Sequence, residues 1–118
     1  MKRFKLAIAA ILVVVSIGST NARAHAQLDH ANPAVGSTIG SSPGRVTLTF
    51  TQALEPKFSG AEVRNSAGAR VDTGHSATGN TLSVSVKGLS PGAYSVSWHV
   101  LSVDTHKTQG SFSFRVGQ

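Results

Sequence analysis

The sequence contains no cysteine, and its one methionine is Met1. Disulfides and thiolate metal sites are therefore excluded, and once the first residues are removed no sulfur donor of any kind is left. Acidic residues are scarce, five Asp and Glu against eleven Lys and Arg. No paired carboxylates suggest acid–base hydrolysis, no glycine-rich phosphate loop occurs, and no serine stands in a nucleophile elbow. Long apolar runs are missing too. Leu6–Ile17 is shorter than the roughly 20 residues needed to cross a bilayer. No stretch shows a sustained helical repeat, and there is no internal repeat or second domain. What remains is unusual for a chain this size: five histidines, His25, His30, His75, His99 and His106.

The first 24 residues read as a secretory signal. A basic start (Lys2, Arg3, Lys5) precedes the apolar run, and polar Ser19, Thr20 and Asn21 lead to the small-residue site Ala22-Arg23-Ala24. Cleavage after Ala24 divides the chain into a signal peptide, 1–24, and a single domain, 25–118. Ala24-His25-Ala26 satisfies the same pattern, and a cut there would start the protein at Gln27. Export implies an oxidising compartment, the periplasm of a Gram-negative bacterium or the extracellular space otherwise. Four of the eleven basic residues lie in the signal and all five acids lie after it, so the domain carries only about +2. The basic face needed for a nucleic-acid partner is not there.

The domain reads as all-β. Val46–Phe50, Leu82–Val86, Tyr94–Trp98 and Phe112–Val116 alternate apolar residues at even positions with small polar ones or arginine at odd positions. That is the period of half-buried strands. Weaker strands are expected at Gln27–Ala31, Ala61–Arg64 and Ala69–Asp72, separated by turn-rich segments at Gly36–Gly44, Asn65–Gly68, Thr73–Asn80 and Gly88–Gly92. About seven short strands predict a small Greek-key β-sandwich or barrel. Its core is built from the even positions, Trp98 and Tyr94 among them.

Two features carry chemistry. A histidine at a free N-terminus chelates through its α-amine and ring Nδ1, so cleavage after Ala24 would turn His25 into a two-nitrogen ligand. In Asp104-Thr105-His106, residues two apart in extended backbone point to the same side. Taken alone, the triplet reads more simply as hydrogen-bonded turn residues. Joined to His25, it completes a set of three nitrogens and one oxygen. Such tetragonal N,O coordination points to Cu(II) or Ni(II), with Cu(II) highest in the affinity order. His75, in the flexible 73–80 segment, is a further ligand candidate. His99 has odd parity and should face outward. His30, beside Asp29, reads as an edge or turn residue.

The chain resembles the CopC family of periplasmic copper-binding and copper-resistance proteins. The resemblance rests on His25, Pro33-Ala34-Val35-Gly36-Ser37, Phe58-Ser59-Gly60, Pro91–Trp98, Ser102–His106 and Gly110–Phe114. It implies a seven-stranded Greek-key barrel and a Cu(II) site made by His25, through amine and ring, with Asp104 and His106. It also implies a copper carrier or buffer rather than an enzyme, with a membrane copper transporter as partner. Some family members hold Cu(I) in a methionine-rich loop with a histidine; residues 61–80 contain no methionine, which points to a Cu(II)-only member. Two other readings are an N-terminal-histidine copper enzyme that oxidises polysaccharides and a metal-free structural sandwich.

Overall fold

The computed structural model describes residues 26–117. The signal segment and His25 lie outside the described residues. Eight strands form in chain order: β1 Leu28–Asn32, β2 Thr38–Ile39, β3 Arg45–Phe50, β4 Gly60–Asn65, β5 Asp72–Thr78, β6 Thr81–Val86, β7 Gly92–Leu101 and β8 Lys107–Val116. A single 3₁₀ turn, Pro56–Phe58, stands between β3 and β4.

The strands make two four-stranded sheets, ordered β1-β3-β6-β5 and β2-β8-β7-β4. The chain crosses between them after β1, β2, β3, β4 and β6, giving a Greek-key-type sandwich. Every pairing is antiparallel except the two-residue contact of β2 with β8. The even positions face inward as the alternation predicts. Val46, Leu48, Phe50, Leu82, Val84, Val96, Trp98, Val100, Phe112, Phe114 and Val116 are all buried. Phe50 meets Trp98 edge-on with ring centroids 5.0 Å apart. Tyr94 stacks on Phe114 and donates its hydroxyl to the Ser90 carbonyl at 2.6 Å. That bond ties the start of β7 to the preceding turn.

Three expectations are corrected. The 73–80 segment is not a loop: β5 occupies most of it, paired along β6 with His75 opposite Val84. Its residues are small or polar and mostly exposed, so they show no apolar alternation. What orders them is the ladder to β6, together with the side chain of Asp72. The Asp72 carboxylate accepts from Val63 N–H at 2.9 Å and from Arg70 at 3.0 and 2.6 Å. Of the strand expected at Ala69–Asp72, only Arg70, in an isolated bridge with Arg64, and Asp72, the first residue of β5, are paired. β2 was hidden in the 36–44 segment, where two residues are too few to show a period.

Candidate metal centre

The longest ladder in the molecule, β7 with β8, ends in the loop that carries Asp104 and His106. Leu101 and Lys107 form its last pair. Beyond them, Thr105 N–H donates to Ser102 O at 2.8 Å and Ser102 N–H donates to His106 O at 3.0 Å. Thr105 sits at φ 71°, the left-handed region that non-glycine residues seldom enter. A tight turn followed by a left-handed residue is the usual way a three-residue hairpin loop closes. Asp104 and His106 thus converge, but not along extended backbone. The reversal at Thr105 between them swings both side chains to one side. His106 Nδ1 lies 3.3 Å from Asp104 Oδ1, and each side chain is a little under half exposed.

Ser102 organises this loop. It is fully buried at even parity, in line with Trp98 and Val100, and it is polar. A buried hydroxyl needs partners. Ser102 Oγ donates to Asp104 Oδ1 and receives His106 N–H at 3.3 Å. The Ser102 hydroxyl holds the Asp104 carboxyl below its ordinary value; desolvation opposes it, and the hydrogen bonds and charge of His106 add to the lowering. The carboxylate therefore stays charged well into acid. Oδ2 has no hydrogen-bond partner among the described residues, which leaves one oxygen free to act as a donor. Nothing marks Ser102 by residue type. A polar residue at an inward position of an otherwise apolar face was the available signal.

The start of the described chain reaches the same place. Ala26 is fully buried, and its carbonyl accepts from Thr108 Oγ1 at 2.8 Å, two residues past His106. Gln27 and Thr51 exchange hydrogen bonds at 2.9 Å. The chain therefore enters the domain beside the Asp104–His106 loop.

The other histidines are placed elsewhere. His30, exposed on β1, contacts Asp29 at 3.0 Å. His75 leans across the open edge of the sandwich, and its ring rests where a side chain on Gly60 would be: a Cβ there would lie 2.7 Å from Nε2. His99 faces outward on β7, opposite Gly60 on one side and Gln109 on the other. Among the described residues no three His, Asp or Glu side chains form a metal-holding cluster. His75 thus does not join Asp104 and His106.

The family model described as the CopC domain matches residues 28–117. The chain belongs to the CopC family. This CopC chain is 35% identical over 121 residues to copper resistance protein C of Xanthomonas campestris pv. juglandis, covering 94% of each chain. It is 33% identical over 119 residues to protein YobA of Escherichia coli K12, covering 97% of this chain and 93% of YobA. Among solved structures it is similar to CopC from Methylosinus trichosporium OB3b, with TM-score 0.71 and 30% identity over 79% of this chain and 94% of that one. It is also similar to PcoC, a methionine-rich copper resistance protein of Escherichia coli, with TM-score 0.70 and 27% identity over 78% of this chain and 98% of PcoC. The two-sheet fold is the one these CopC structures share. The described residues of this CopC chain contain no methionine or cysteine, and no helix among them is long and apolar enough to cross a membrane.

Proposed function

We propose that this CopC protein is an exported Cu(II) carrier or buffer that acts in copper resistance in the periplasm. The α-amine and ring of an N-terminal His25, together with Asp104 and His106, would hold the ion. The observation that carries the reading is the convergence of a charged carboxylate and an imidazole in one loop, 3.3 Å apart and open to solvent. Two further facts support it. Ala26 is anchored two residues from His106 on β8, and His25 is its neighbour in the sequence. The donor set contains nitrogen and oxygen but no sulfur, which suits Cu(II) and not Cu(I).

Each residue has a distinct role. Asp104 supplies negative charge and a free oxygen, Ser102 fixes the carboxylate, and the hairpin turn at Thr105 brings His106 beside it. The imidazole and the amine must both be unprotonated to bind, so copper is released as pH falls. A membrane copper transporter is the proposed recipient.

The test is the mass of the mature protein, followed by Cu(II) titration with electron paramagnetic resonance detection. A chain beginning at His25 should show a nitrogen-rich Cu(II) spectrum. Loss of an outer-shell partner of a metal typically costs 10–100-fold in affinity, so His106→Ala, which removes a ligand, should cost at least about 100-fold. A mature chain beginning at Gln27, or a His106→Ala variant with unchanged affinity, would overturn the reading.

A further inference from the structure

Beside the metal loop, on the outer face of the same hairpin, lies an open groove of about 470 Å³. Its floor is Leu101 and His99 of β7, one wall is Lys107 of β8, and the other is Lys57 and Phe58 of the 3₁₀ turn. The turn is clipped in place by backbone. Glu55 N–H donates to Leu101 O at 2.8 Å, and Leu101 N–H donates to the buried Ser59 hydroxyl at 3.2 Å. The groove is thus part of the rigid ladder end and not a gap between mobile loops.

Its chemistry is one-sided. Phe58 is 61% exposed, and Val103, on the metal loop itself, is 53% exposed. A lone exposed apolar residue needs no explanation. Here an exposed aromatic ring lines a groove together with two lysines, Lys57 and Lys107, and a second exposed apolar side chain stands on the adjoining loop. No carboxylate lines the groove. Neither Lys57 nor Lys107 forms an ion pair among the described residues. The acids are held elsewhere: Asp29 by His30, Glu62 and Asp72 by arginines, and Asp104 by Ser102. Outside the lining, Glu55 precedes the 3₁₀ turn, Asp104 lies on the adjoining loop, and Glu62 lines the neighbouring cleft that shares His99 and Gln109. Uncompensated positive charge around an exposed aromatic is complementary to an acidic segment that carries an apolar side chain.

We propose that this groove is the docking surface for an acidic, apolar-bearing segment of the protein that exchanges copper with this chain. The proposal rests on the copper-carrier reading for its purpose, since Lys107 directly follows His106 and a segment seated in the groove would lie against the metal loop. The binding itself needs no metal. Docking would therefore bring the partner's own ligands to the ion by proximity rather than by diffusion, and the lysines would steer the approach.

The experiment uses the ¹⁵N-labelled protein without added copper and the blocked peptide acetyl-Glu-Glu-Phe-Glu-Glu-amide as probe. Amide shifts should move at 57–58, 99–101 and 107–109 and stay still on β1, β5 and β6. The exposed-site double variant Lys57→Glu/Lys107→Glu should weaken binding at least about tenfold while leaving the remaining spectrum unchanged. The Lys-for-Glu version of the peptide should not bind. Overturning results are saturable shifts elsewhere, no shifts at millimolar peptide, or benzoate binding as well as the peptide, which would make this a small-anion pocket. Because no metal is present, a failure here leaves the copper site standing, and a failure of copper binding leaves this result readable.

Discussion

Replacing Gly110 by alanine adds one methyl group to β8 and should cost the fold about 2 kcal/mol. Gly110 is directly opposite Trp98 on the inner face, and the indole lies over it. An added Cβ would sit 2.6 Å from Cζ2 and 3.0 Å from Cε2 of that ring, far inside normal van der Waals contact. The ring has little room to retreat, because Phe50 abuts it edge-on at 5.0 Å and both strands are held by the ladder. Inserting a methyl into a packed core of this kind typically costs 1–3 kcal/mol. For a domain of this size, about 2 kcal/mol lowers Tm by about 8–16 °C. Urea unfolding followed by circular dichroism measures the loss, and emission of Trp98, the sole tryptophan, reports its displacement. In a Trp98→Phe background the same alanine should cost less than about 0.5 kcal/mol, because the clashing atoms are gone. A Gly110→Ala protein as stable as the parent, with unshifted emission, refutes the packing argument.

Three further outcomes follow from the site and its scaffold. Ser102→Ala should leave the sheets intact but weaken Cu(II) binding about 10–100-fold and broaden the paramagnetic spectrum, since the carboxylate loses its fixed donor; an unchanged Kd would show that Asp104 needs no help. Asp72 is held below its ordinary pKa, first by the Arg70 hydrogen bond. Its contribution is therefore complete above the unfolded carboxylate value near 3.9 and is lost as pH falls through the lower folded value. Asp72→Asn should cost about 1 kcal/mol at pH 7 through the weakened bond to Val63 N–H and flatten the acid limb of the stability curve. Identical limbs for both proteins would contradict this. Copper affinity, measured by competition between pH 8 and pH 5, should fall steadily as the amine and imidazole protonate; a flat profile would exclude nitrogen ligation.

Much of the sandwich is legible in the chain because its central strands bury one face each. Val46–Phe50, Leu82–Val86 and Tyr94–Trp98 announce themselves by parity, and their inward residues are the observed core. β5 is not legible, since an edge strand of Thr, Gly, His, Ser and Ala draws its order from a neighbour's ladder and from one aspartate. Asp104 and His106 are legible as a pair from their spacing, although the turn at Thr105, not an extended strand, brings them together. Ser102 is hidden by its ordinary type and revealed only by its burial. The groove cannot be read from sequence at all, because Phe58 and Lys107, which both line it, are 49 positions apart.

The β7–β8 hairpin sets what emptying the proposed copper site would cost. The hydrophobic core closes at Val100 and Leu54, and the half-exposed Asp104 and His106 project past that last layer. Small zinc domains behave differently, because there the ion replaces a core and its removal unfolds the chain. In this chain the two ladders, the packing of Trp98 on Phe50 and the Ser102 anchor are all made by protein groups. On the copper reading proposed above, loading and unloading at the tip would be exchange reactions at the end of a packed sandwich, with rates set by solvent access and pH and not by opening of the fold.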